Sequence, residues 1–283
     1  MTAPAAAGLL LFVALPFLLA LGLSLTDLRL GSPLEPRFVG LYQYRQILHD
    51  PGFLHALANN AYFAVVVVPL QTALALGLAL LLNRPLAGRA LFRTLFFMPV
   101  VFPMSLVAVI WVLIYAPGPQ GMMNALLALL SAGGWEPRDF LHDPRWVMPA
   151  IMLLSIWQGV GFQMVILLAA LQNIPAELYE AARLDGAGAW RRFLHITLPQ
   201  LRSALAFVIL VTAILAFRLF DQIQIMTRGG PEGASTTVMF EAVRSAFERQ
   251  QVARAAAMTV VFFCIVLAIT VALRRLFREG EAS

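Results

Sequence analysis

The sequence predicts an all-α membrane protein built on six transmembrane helices, and three observations predict it. Hydrophobic residues make up 60% of the 283 and charged residues 12%, where a soluble domain has about 45–50% apolar and about 25% charged residues. Six apolar runs, 8–26, 61–82, 95–115, 147–171, 201–220 and 255–273, match the about 20 residues that cross about 30 Å of hydrocarbon. The basic residues, all of them arginine, fall mostly in the short segments between those runs. The runs predict one transmembrane domain over 1–283.

The first run lacks the basic leader and small-residue cleavage site of a secretory signal, so it reads as a retained helix, and the few residues ahead of it suggest a trimmed start. The second and third carry Pro69, Pro99 and Pro103. Neighbouring helices can satisfy the freed carbonyls in a bundle, so these prolines predict kinked helices. Segment 121–131 is apolar but half a span long, which predicts a short helix at the interface. Orientation follows from charge. Loops 83–94 and 173–203 with the C-terminal tail hold ten arginines against Glu177, Glu180, Asp185, Glu279 and Glu281, whereas the opposite side balances nine arginines with nine acids. The positive-inside rule then puts both termini and 173–203 in the cytoplasm.

Composition also excludes functions. With no lysine the chain has no Walker A loop and no Schiff-base chemistry, so ATP, if used, is bound by another chain. The single Cys264 rules out an internal disulfide, and His49, His55, His142 and His195 lack a second ligand at metal spacing, which predicts no metal site. The arginines form no basic face for nucleic acid. No nucleophile elbow, paired catalytic carboxylates or His-Glu-x-x-His is present, which argues against an enzyme.

The polar interruption 173–199 is the most informative stretch. Pro175 suits a helix's first turn, and Glu177 and Glu180 favour its positive pole. Leu178, Ala181, Ala182 and Asp185 then share one small face with an acidic edge. Gly186 permits the left-handed turn that ends such a helix, and 189–195 can form a second short helix before Pro199. Spacing alone is compatible with an amphipathic helix on the headgroups, with Arg191 and Arg192 on anionic lipid, and with a docking lever.

The pattern Glu180-Ala181-Ala182, Gly186, Ile196, Leu198-Pro199 resembles the coupling motif of inner-membrane permeases of binding-protein-dependent ABC importers. Val39-Gly40-Leu41 with Tyr44, Asn59-Asn60, Gly88-Arg89 with Arg93, Pro99, Trp111, Gly121 with Asn124, Asp143-Pro144, Trp157, Phe220-Asp221 and Thr227-Arg228-Gly229-Gly230-Pro231 extend the likeness to the carbohydrate branch over about 38–260. The Thr-x-Gly-Gly-Pro external loop (Thr227, Gly229, Gly230, Pro231) resembles the maltose-permease F-like member of the pair. The resemblance implies a MetI-like permease fold, with Glu180, Ala181, Ala182, Asp185, Gly186, Ile196, Leu198 and Pro199 coupling to a separate ATPase. It also implies a second, G-like permease, two ATPase copies carrying ATP and Mg, an extracytoplasmic solute-binding protein, and a bacterial or archaeal inner membrane. No cofactor is expected on this chain. The sequence departs from the family in its short N-terminal extension and in Arg218, where a neutral residue is more typical.

Ionisable residues within spans usually face a cavity or a partner. Arg218 and Asp221, three apart on one predicted helix, could pair near the outer headgroups, or could join Phe220 and Gln222 on a translocation wall. Run four offers a matching polar strip in Ser155, Gln158, Gly159, Phe162 and Gln163, and such amides and aromatics suit a sugar or related polyol. The alternatives are a stand-alone ion-coupled transporter, for which Asp221 is the only intramembrane acid, and a polytopic membrane enzyme; neither explains the lever.

Overall fold

A computed structural model describes residues 3–85 and 87–279; Glu281, counted in the charge balance, lies outside the described residues. Among the described residues the regular structure is helical, with one isolated bridge, Thr26 to Phe38. Five helices are long and apolar enough to span a membrane: α1 (Pro4–Ser24), α3 (Pro51–Leu82), α7 (Val147–Gln172), α10 (Arg202–Phe217, extended to Met226 across a break) and α13 (Val252–Phe277, helical to Glu279). Between them lie α2 (Tyr42–Leu48), α4 (Arg89–Val101), α5 (Met104–Ile114), α6 (Met122–Leu130), α8 (Ala176–Leu184), α9 (Ala189–Arg192), α11 (Asp221–Met226) and α12 (Val238–Phe247).

Three boundaries differ from the sequence expectation. The helix expected at 61 begins ten residues earlier: Asp50 caps it, its carboxylate accepting from the Gly52 amide at 3.1 Å, and Pro51 fills the first position. Polar His55, Asn59 and Asn60 mask this extra length in the sequence. It continues through Pro69 without interruption. The run 95–115 is two helices, α4 and α5, bent by 101° at Phe102-Pro103. Proline removes the amide that would continue the ladder and forces its predecessor into extended backbone, and Phe102 has ψ 138°. The run 201–220 stops at Phe217 and resumes as α11.

Helices α3 and α7 form the central pair; α4 lies on α7, α10 on α3, and α13 holds α1, α2, α10 and α12. The α4–α7 contact is close because Gly161 has no side chain: a Cβ there would stand 1.9 Å from the Phe96 carbonyl oxygen. Apolar burial divides into two cores. One, built on Phe53, Phe63, Val67, Ile151, Leu154, Phe217 and Ile223, fills the end bearing the 227–238 loop. The other, built on Ala75, Ala79, Met164, Leu167, Leu171, Leu201 and Val208, fills the end bearing 173–200. A polar layer separates them.

Charge is paired at the first end. Arg254 donates to Asp50, Arg249 to Glu241 at 2.5 Å and Arg244 to Glu248 at 3.2 Å. All six belong to the side whose charges balance in the sequence.

Candidate translocation site

The polar layer opens into a hollow of about 290 Å³, lined by Gln71 of α3, Ser155, Gln158 and Gly159 of α7, Thr212 of α10, Arg218, and Asp221 and Gln222 of α11, with Phe63, Val67 and Met104 among its apolar walls. A smaller hollow of about 100 Å³ continues along Gln158, Phe162, Gln163 and Val208. Gly159 lets Gln71 cross, since a Cβ at Gly159 would meet Gln71 Nε2 at 2.4 Å. Buried Gln163 donates to Thr212, which donates to the Val208 carbonyl at 2.7 Å. Gln222 donates to the Ser155 hydroxyl at 3.1 Å. One side-chain bond each therefore ties α10 and α11 to α7.

Of the candidates on this wall, Gln158, Gly159, Arg218, Asp221 and Gln222 meet in the larger hollow, and Phe162 and Gln163 line the smaller. Phe220 lies in neither; it packs against the first apolar core. Trp157 packs on Trp111 with ring centroids 5.6 Å apart. Gln71 and Thr212 complete the site, and the sequence reading missed them; single polar residues deep in the apolar runs of α3 and α10 were the available signal.

Arg218 and Asp221 do not lie on one continuous helix, and they form no ion pair with each other. The Leu219 carbonyl, which a continuing helix would occupy, instead accepts from Thr237 Oγ1 at 2.8 Å. Both charged residues are exposed to the hollow. Nor does Arg218 sit at a span end. It falls between Thr212, level with Gln163, and Gln222, level with Ser155, beside the middle of the 26-residue α7. A charge at that depth costs about 2.5–3.5 kcal/mol on insertion scales unless it faces a polar cavity.

At the far ends of the same two helices stands the 173–200 loop. Helix α8 closes in a Schellman motif: the Ala187 amide donates to Ala182 at 2.8 Å and Gly186, at φ +72°, donates to Arg183 at 3.0 Å. The second limb does not stop before Pro199. It runs from α9 through a π turn, Phe193–Thr197, into Leu198–Gln200. Pro199 cannot donate an amide, and the wider turn absorbs the lost bond. Tyr179 and Thr197 hydroxyls, 2.9 Å apart, tie the two limbs together. Ala182, Ile196 and Leu198 are half-buried against the loop, whereas Glu180, Ala181, Asp185, Gly186 and Pro199 are exposed. Leu184 is 90% exposed and Trp190, stacked on Phe193, 69%, which gives the elbow an exposed apolar edge.

The Thr227–Pro231 loop is clamped at the opposite end. Asn59 Nδ2 donates to the Gly233 and Thr236 carbonyls at 3.2 and 2.9 Å, and Asn60 Oδ1 accepts from the Val238 amide at 2.9 Å. Thr236 and Ser235 hydroxyls donate to the Gly229 and Gly230 carbonyls, and Thr227 Oγ1 lies 2.7 Å from Ser235 Oγ. Gly229 holds φ +82°, with Phe240 2.7 Å from where its Cβ would be.

A polytopic helical chain with a polar hollow at mid-bundle and an exposed helical elbow on the same helices is a transport subunit. It belongs to the family of binding-protein-dependent transport system inner membrane components, whose model matches residues 71–279. A probable ABC transporter permease protein, YurN, of Bacillus subtilis is 36% identical over 96% of this chain and 93% of its own. The trehalose/maltose transport system permease protein MalF of Thermococcus litoralis is 36% identical over 84% of this chain and 79% of its own. In fold it matches a bacterial alginate ABC transporter solved with alginate-bound periplasmic protein, at TM-score 0.85, 21% identity, and coverage of 99% and 93%. The chain is thus a non-catalytic permease subunit of an ABC importer, and a stand-alone ion-coupled carrier is the weaker reading.

Proposed function

We propose that this permease forms half of the pathway for a sugar or sugar derivative, moved by alternating access driven by ATPases on other chains. The observation that carries this reading is the hollow of amides, hydroxyls and a carboxylate set on α3, α7, α10 and α11, of which the elbow joins α7 and α10. Planar amide and carboxylate groups match sugar hydroxyls, and relatives are named for trehalose and maltose, lactose and diacetylchitobiose. In this reading α8 enters a cleft on an ATPase subunit through Glu180, Ala181, Ala182 and Asp185, with Gly186 as the elbow and Ile196, Leu198 and Pro199 bracing it. Two ATPase copies hold the ATP and Mg, a second, G-like permease supplies the other half, and a solute-binding protein delivers substrate to the end bearing Thr227, Gly229, Gly230 and Pro231. Both termini and the elbow face the cytoplasm across a bacterial or archaeal inner membrane.

Ligands with different affinity for two states shift the balance between them, and movement of the elbow turns α7 and α10 together. The test is Glu180→Lys and Gly186→Pro in the assembled transporter in proteoliposomes. Each variant should insert at normal levels and lose ATP-driven uptake; normal uptake by both would remove the coupling role.

A further inference from the structure

We infer that the substrate carries an oxyanion, a carboxylate, sulfonate or sulfate, and that Arg218 reads it; the inference rests on the hollow being the sugar path. Arg218 is exposed to that hollow at mid-bundle, and among the described residues its guanidinium has no hydrogen-bond or ion-pair partner. A guanidinium stays charged in proteins, so its charge is a permanent feature of the wall. Its forked donors match a planar or trigonal oxyanion two bonds at a time.

The neighbouring groups divide the remaining work. Asp221 opens the next helix after a backbone break and makes no ion pair with Arg218, so the guanidinium's donors stay open to a ligand. It faces the hollow beside Gln71, Gln158 and Ser155, an acceptor and donor set for neutral hydroxyls. A neutral sugar would offer the guanidinium fork no charged acceptor, and Asp221, the carboxylate of the same hollow, makes no ion pair with it. A basic sugar would be repelled by the guanidinium. One acid group on an otherwise hydroxylated ligand satisfies both ends of the wall.

The experiment uses the complete transporter with its own binding protein in proteoliposomes. It compares uptake of digalacturonate and lactose sulfate with uptake of neutral lactose and trehalose. Wild type should favour an anionic probe. Arg218→Gln should raise KM for that probe roughly tenfold or more, as expected for loss of charge-assisted hydrogen bonds, and should erase the preference over the neutral counterpart. Recovery of the assembled complex controls for folding. Arg218→Lys, which keeps the charge without the fork, should fall between the two. ATP-driven uptake of neutral sugars only, or an unchanged KM for the anion in Arg218→Gln, would overturn the inference while leaving the importer standing. Absence of ATP-driven uptake of any sugar by wild type would instead remove the proposed function beneath it.

Discussion

Gln163 shows how finely the polar layer is balanced. It is buried, its amide nitrogen bonds Thr212, and its carbonyl oxygen has no partner among the described residues. Replacing Thr212 with valine would strand the nitrogen too, at about 1–3 kcal/mol for an unsatisfied buried group. A fall in the melting temperature of the purified permease checks this, and Gln163→Leu combined with Thr212→Val should recover part of the loss. At the other end, Asn60→Ala strips the Val238 amide of its acceptor and leaves the 227–238 loop tied to α3 through the side-chain bonds of Asn59. Faster hydrogen exchange confined to that loop and the start of α12 is the expected result. Gly229→Ala meets both a positive φ and Phe240, and should lower the yield of folded permease more than Gly230→Ala, whose added carbon would stand 3.3 Å from the Thr227 carbonyl.

Among the elements, the α4–α7 crossing depends on one missing methyl. Gly161→Ala would drive Cβ into the backbone of Phe96, which no side-chain rotation can relieve, so α4 must lift. Cysteine pairs placed across this crossing should cross-link in wild type and fail in the variant. How much of this architecture was legible in the sequence depends on where the cause lies. Apolar length revealed the long helices, and Pro175 with Gly186 revealed the elbow, because those signals are local. The right-angle bend in the third run was half visible: Pro103 announced a kink, but not the 101° turn that sets α5 against α11. The break after Phe217 was invisible. No glycine or proline marks it, and the group that takes the freed Leu219 carbonyl, Thr237, lies 18 residues away. Of the hollow, Gln158 and Gln222 stood out as amides in oil; Gln71 and Thr212 gain meaning only when three helices meet.

In the whole molecule the two apolar cores do not merge. Each is packed in its own right, and the layer between them is joined by side-chain hydrogen bonds instead of by interlocking hydrocarbon. Proteins open in cooperative units bounded by their sparsest contacts. Amides near Leu167 and Leu201 should therefore share one opening free energy and those near Ile151 and Ile223 another, and a single common value would contradict this. A close-packed body transmits strain throughout its volume, but a mineral with a cleavage plane yields along that plane and leaves the blocks on either side intact. The polar layer is such a plane. In the proposed function, a push at the elbow would travel along the unbroken α7 and reshape this layer at the level of Gln158 and Arg218, where a passenger would be held.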